Sequence, residues 1–203
     1  MMTAPTNALA VGPRVYLRRP GRRDAVAFLA AANASATLHE RWVQVPATIE
    51  EFARYAARFG GRPNDDPTVM THLGLLVCNR EDDTLVGVFN ISEIVRGVFQ
   101  SAYLGYYALS PHQGRGFMAE GIVLTLEVVF QTLRLHRVEV NVQPTNARSI
   151  ALARRAGFER EGYSRRYVKI GGRWRDHVRF AMLAEDWRTL RKKNSPIFWG
   201  VQN

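Results

Sequence analysis

The sequence predicts an α/β domain with helices on both faces of one sheet, and three observations carry that prediction. In the second half of the chain, segments of strand and helix character follow one another as strand–helix–strand–helix–strand. Met118, Ile122, Leu126, Val129, Phe130 and Leu133 recur at helical spacing and form one apolar stripe. Residues 137–143 alternate strictly, with Val138, Val140 and Val142 facing one way and Glu139, Asn141 and Gln143 the other.

The remaining elements follow in order. Residues 1–13 read as a flexible lead-in and 15–18 as a short strand. An alanine-rich helix is expected over 24–35, with Val26, Phe28 and Leu29 available for burial. Thr48 and Glu51 have the spacing of a capping box ahead of Phe52 and Tyr55, and Gly60-Gly61 closes that second helix. Residues 61–68, with Pro63, Asn64, Asp65, Asp66 and Pro67, form an irregular loop. Strands over 73–79 and 85–94 flank the turn 80–83 as a hairpin. A Tyr-rich strand covers 101–109, and Gly105 within it marks a candidate bulge. After the long helix and the alternating strand, a helix over 147–156 ends at Gly157. Strands near 163–170 and 178–183 then flank the turn Gly171-Gly172.

A chain of 203 residues fits one domain, taken as 14–187 with terminal extensions 1–13 and 188–203. The single cysteine, Cys78, excludes a disulfide within one chain and argues against a Cys-based zinc site; it reads as a buried thiol in a strand. Five arginines between positions 14 and 23 interrupt every candidate apolar core of a signal peptide, and no window suits a membrane span. A cytoplasmic protein is expected. The formal charge of +10 invites a nucleic-acid reading, but the basic residues run along the whole chain, with 25 arginines against 3 lysines. A solvated basic surface, or one drawn to an anionic cofactor or a ribosome-like partner, fits that spread.

The most informative stretch is Ser110-Pro111-His112-Gln113-Gly114-Arg115-Gly116-Phe117-Met118-Ala119-Glu120. A strand ends, a glycine-rich turn follows and a long helix starts at once. Glycines let main-chain N–H groups approach a ligand closely. The first turn of a helix leaves several of those donors unpaired, so a pyrophosphate is stabilised there. Arg115 can add a charge-assisted contact. The segment fits neither the P-loop nor the dinucleotide-binding glycine pattern.

These residues resemble the GCN5-related N-acetyltransferase (GNAT) family. Residues 113–118 match its Q/R-x-x-G-x-G/A loop, except that Met118 replaces the final small residue. Asn146-Ala147-Arg148-Ser149 and Ala156-Gly157-Phe158 fall at the family's usual distances. The segments QGRGFMAE, LHRVEVNVQPTNARSIALARRAGFEREGY and GGRWRDH are more similar still to the Rim branch, which acetylates the N-terminal amine of ribosomal proteins, and above all to its member acting on alanine. The resemblance implies a single GNAT-type α/β domain with a mixed, mainly antiparallel, splayed sheet. It implies acetyl-CoA as cosubstrate, no metal, and a peptide or protein N-terminus as the second substrate. The backbone at Ala108 and Leu109 would pair with the pantetheine arm, and a free N–H near 106–108 would stabilise the oxyanion. Gln113, Gly114, Arg115, Gly116, Phe117 and Met118 would hold the pyrophosphate, and Asn146 would contact the pantetheine near sulfur.

Proton transfer is less legible. The Tyr that many family members carry four residues before the Gly-Phe pair is Ala153 here, and the glutamate of some Rim relatives falls at Val168. Ser149 stands where the Rim branch has a serine proposed as the acid, and it also suits a helix first turn. Glu93 is taken as the base, with Glu120 as a second carboxylate. Tyr103, Tyr106 and Tyr107 read as packing, Asp176 as a hairpin residue, and His177 as a hairpin residue before it is a base. A small-amine acetyltransferase and a non-catalytic RNA-binding protein are the rival readings. Oligomeric state is left open.

Overall fold

The computed structural model describes residues 6–61 and 65–193. Its strands are β1 (Ala8–Val11), β2 (Val15–Arg18), β3 (Leu73–Asn79), β4 (Leu85–Val95), β5 (Ser101–Ala108), β6 (Arg137–Val142), β7 (Glu159–Ile170) and β8 (Arg173–Leu183). The helices are α1 (Ala25–Ala34), α2 (Ala36–His39), α3 (Ile49–Phe59), α4 (Phe117–Glu127), α5 (Ala147–Arg155) and α6 (Ala184–Lys193). All eight strands join one sheet in the order β1-β2-β3-β4-β5-β6-β8-β7. Neighbours are antiparallel except β5 and β6, which run parallel.

Helices cover both faces. Phe28 of α1 and Phe52 of α3 pack with Leu76, Cys78 and Val88 on one side. Ile122 and Leu126 of α4 pack with Leu75, Val77, Phe89 and Ile91 on the other. A strand covered on both faces needs apolar side chains at every position, so β3 is a continuous apolar run rather than an alternating one. β6 keeps its alternation, with Val138, Val140 and Val142 buried. Cys78 is buried, and that burial pushes its thiol up to about 11, away from reactivity.

The parallel pairing is short. Ser101, Ala102 and Tyr103 of β5 pair with Arg137, Val138 and Glu139 of β6, and there it stops. Beyond Tyr103, β5 stays on β4 while β6 follows β8. The sheet splays and a cleft opens between the two strands. The Arg137 N–H donates to the Gln100 carbonyl on the β6 side, and the Leu109 N–H donates to Val86 on the β4 side. By strand alternation, the peptide groups of Leu104, Tyr106 and Ala108 therefore face the gap.

Two buried polar anchors hold the frame around that gap. Glu120, 4% exposed, accepts from the N–H groups of Arg14 and Val15 and from Arg14 Nε, which ties β2 to the first turn of α4. Asp24 forms a bidentate pair with Arg18 at 2.8 Å on both oxygens and also accepts from the Gly21 N–H, which ties α1 to β2.

Several sequence expectations are corrected. Ala8–Val11, read as lead-in, is a strand on β2, because Ala10 packs on the core and its backbone completes the sheet edge. Residues 1–5 of that lead-in lie outside the described residues, as do Pro63 and Asn64 of the expected loop and residues 194–203. The helix α6 crosses position 187 and runs to Lys193, docked by the buried Trp187. Val26 is 76% exposed, because α1 turns Phe28 and Ala32 inward instead. Gly105 pairs regularly with Asn90, and the register shift lies on β4 between Ser92 and Val95. The long helix changes at Val128 into one π-helical turn to Thr132, closed by the Leu133 N–H on the Val128 carbonyl. Thr48 Oγ1 caps the Glu51 N–H as expected, but the Glu51 carboxylate reaches the N–H of Ala47, one residue earlier than a capping box requires.

Candidate active site

The strand-to-helix turn after β5 is built by two left-handed glycines. Gly114 and Gly116 have φ of 81° and 80°, where any side chain would be strained. Gly116 is the N-cap of α4. The N–H groups of Ala119 and Glu120 both turn back to the Gly116 carbonyl. Those of Gly114, Gly116, Phe117 and Met118 make no hydrogen bond among the described residues. Four unpaired donors at the positive end of an 11-residue helix suit a diphosphate. Arg14 stands beside them: its guanidinium lies 5.1 Å from the Phe117 ring and donates to the Arg115 carbonyl at 3.2 Å.

This loop forms one end of a cleft of about 1170 Å³ that follows the splay. On one wall, Asn146 caps α5 by accepting from the Ser149 N–H at 3.1 Å. The Ser149 carbonyl accepts from Tyr106 Oη at 2.8 Å. Burial raises the Tyr106 phenol above its ordinary pKa, and its proton is committed to that carbonyl. The Ser149 side chain hydrogen-bonds the same phenol, an interaction that opposes the rise, and it lines the cleft. On the opposite wall, Trp42 and Val43 follow α2, and Gln143 Nε2 donates to the Arg41 carbonyl at 3.0 Å, closing this wall against β6. His39 Nε2 donates to the Ala108 carbonyl at 2.8 Å and fixes the end of β5.

The structure brings most expected residues together. Ala108, Gln113, Gly114, Gly116, Phe117, Met118, Asn146 and Ser149 all line the cleft. Three do not. Leu109 is fully buried in the core, with its N–H spent on β4. Arg115 lies outside the lining, where its carbonyl holds Arg14. Glu93 lies outside it too: its side chain is 61% exposed and contacts Arg58 and His72 at 3.5 and 3.4 Å. A carboxylate held on the surface by those two groups has no geometric claim to the base role. Glu120 is spent as an anchor. Among the described residues the lining contains no aspartate or glutamate; its charged side chains are Arg148 and Arg155. Sequence reasoning missed Trp42, Val43 and His39, whose local pattern carries no signal because only the fold carries α2 to the end of β5.

Among the described residues no three His, Cys, Asp or Glu side chains gather as a metal site, and no helix is long and apolar enough to cross a membrane.

Residues 14–159 match the model of the acetyltransferase (GNAT) domain family. The chain is 32% identical over 179 residues to the probable N-acetyltransferase YjcK of Bacillus subtilis, covering 86% of this chain and 97% of that protein. It is 41% identical over 107 residues to the [ribosomal protein uS5]-alanine N-acetyltransferase of Escherichia coli, a match spanning 53% of this chain and 55% of that enzyme. Among solved structures, Mycobacterium smegmatis RimJ in complex with CoA-disulfide superposes with a TM-score of 0.78 at 26% identity, covering 91% of this chain and 94% of that one.

Proposed function

This chain belongs to the GNAT acetyltransferase family and is an acetyl-CoA-dependent N-acetyltransferase, and from that premise we propose that its acceptor is the N-terminal amine of a protein, an alanine or serine terminus of a ribosomal protein in the cytoplasm. Acetyl-CoA supplies an acyl thioester. In this reading the donors of Gly114, Gly116, Phe117 and Met118 hold its diphosphate. The gap-facing peptide groups of Leu104 and Tyr106 and the N–H of Ala108, whose carbonyl His39 already holds, take the place of the missing strand and align the pantetheine arm. A gap-facing N–H among them stabilises the charge that develops on the thioester oxygen. Holding both substrates in one cleft makes the attack effectively intramolecular.

The observation that carries the choice of acceptor is that, among the described residues, no carboxylate side chain lines the cleft. A polyamine keeps two or more positive charges when bound, and the described lining offers them Arg148 and Arg155 but no acid to pair with. A peptide terminus brings a single α-amine with a pKa of about 7.7–8.0, so a large neutral fraction exists near pH 7.5. The partial match to the uS5-alanine enzyme supports the same reading.

The test is a thiol-release assay with acetyl-CoA, comparing ribosomal N-terminal peptides that start with alanine or serine against spermidine and small amines. Turnover with the peptides at a kcat/KM at least tenfold above every small amine is expected. Preference for spermidine would overturn the acceptor assignment and leave the family assignment in place.

Ser149→Ala removes the cleft-lining hydroxyl of the Tyr106–Ser149 pair. It should lower kcat about 10²-fold, the low end for a lost proton donor, while acetyl-CoA affinity stays within a factor of about two. An unchanged kcat removes Ser149 from the chemistry.

A further inference from the structure

His177 is 4% exposed yet contributes to the cleft lining. It lies on β8, paired with Ser164 of β7. Its Nδ1 is 3.0 Å from the carbonyl oxygen of Arg175. A carbonyl can only accept, so Nδ1 carries the hydrogen and donates it. The neutral ring is thereby fixed in one tautomer, with its lone pair on Nε2. Nε2 has no partner among the described residues, and it is not among the side-chain nitrogens sealed from solvent, so it opens to the cleft.

Asn141 of β6 pairs with Arg179, two residues along β8 from His177, so both side chains leave the sheet in the same direction. The open Nε2 lone pair of His177 faces a cleft whose described lining holds no carboxylate. That arrangement suits an amine, which brings N–H donors and has a proton to lose.

We propose that His177 is the general base of acetyl transfer. One proton of the acceptor ammonium passes to Nε2, directly or through one water, and from there to solvent. The freed nitrogen lone pair forms the N–C bond with the acetyl carbon, and the C–S bond breaks. The sulfur leaves with the electron pair, and the second nitrogen proton ends on it through the Ser149 hydroxyl. One ammonium and one thioester thus give one amide, one thiol and one released proton.

The groups around the ring agree with this role. Tyr167 of β7 lies with its ring 5.9 Å away, Asp176 precedes His177 in the chain, Arg175 and Arg179 share its strand, and Asn141 and Gln143 on the β6 side are neutral. Burial lowers its pKa below the ordinary 6.5 and outweighs the Arg175 carbonyl and Asp176, which raise it. The ring is therefore in its proton-accepting form at neutral pH.

The inference rests on amine acetylation and not on which amine is natural, so the test uses glycinamide at high concentration alongside the peptides. In His177→Asn the side-chain amide can still donate to the Arg175 carbonyl, but it offers no base. Its kcat should fall about 10²–10³-fold, with the KM for acetyl-CoA and the melting temperature unchanged. An acid limb of kcat is expected for the native enzyme below the ordinary imidazole pKa of about 6.5 and should be absent from His177→Asn, and added imidazole should restore part of the rate to His177→Ala. A native kcat in His177→Asn overturns the proposal. So does a rate lost together with acetyl-CoA affinity and melting temperature, with no rescue by imidazole. Failure of the peptides alone, with glycinamide still showing the His177 dependence, overturns only the acceptor assignment.

Discussion

Gly116→Glu is expected to abolish acetyl-CoA binding while the protein stays folded. Position 116 has φ of 80°, so any non-glycine side chain there costs about 1–2 kcal/mol before a ligand arrives. The new Cβ would sit 3.4 Å from an Arg14 guanidinium nitrogen, so the carboxylate would draw on the cation that stands beside the loop. A negative charge within about 4–5 Å of a bound phosphate adds roughly 3–4 kcal/mol of repulsion at an effective dielectric near 20. The strain lowers stability, and the repulsion alone gives about a 10²–10³-fold loss of affinity. Gly116→Ala separates the two causes, because it keeps the backbone strain and removes the charge; it should melt earlier while its CoA affinity falls by less than about tenfold. Calorimetric titration with CoA measures both. An affinity for Gly116→Glu within tenfold of the native protein would remove the diphosphate from this turn.

Asp24→Ala should give the largest loss of stability. The Asp24 and Arg18 side chains are 6% and 9% exposed, and both carboxylate oxygens are engaged by the guanidinium. Removing the acid leaves a buried arginine uncompensated and frees the Gly21 N–H, which the same carboxylate had accepted. Breaking such a pair costs about 3–5 kcal/mol. For a domain of this size that lowers the melting temperature by roughly 10 °C. The double variant Arg18→Met, Asp24→Leu should recover most of the loss, because an apolar pair of similar volume has no desolvation cost to repay. A single Asp24→Ala variant that melts within about 2 °C of the native protein would show that the pair is not a structural anchor.

The fold was legible wherever one local rule sufficed. β6 alternates because one of its faces is buried, and the α4 stripe has helical spacing because α4 lies along the sheet. The glycines at 114 and 116 mark the turn because only that residue takes positive φ without cost. What failed depends on partners far away in the chain. β1 is a strand because β2 offers it an edge, and its own residues carry no strong pattern. The π-turn after Glu127 keeps the same apolar spacing as the helix before it, so the stripe could not reveal it. The two glutamates weighed as bases look alike in sequence. Only the structure separates Glu93, on the surface with Arg58 and His72, from Glu120, buried under Arg14 and Val15. His177 was read first as a hairpin residue, because the hydrogen bond that fixes its tautomer is made by a neighbouring backbone carbonyl. No spacing rule encodes that bond.

The most direct test of the account is the response of four backbone amides to CoA, followed by nitrogen-15 NMR. If the turn between β5 and α4 holds the diphosphate, the resonances of Gly114, Gly116, Phe117 and Met118 should shift more than any others outside the pantetheine strand, and CoA lacking the diphosphate should leave them in place. Saturating CoA that moves amides elsewhere while these four stay still would contradict it.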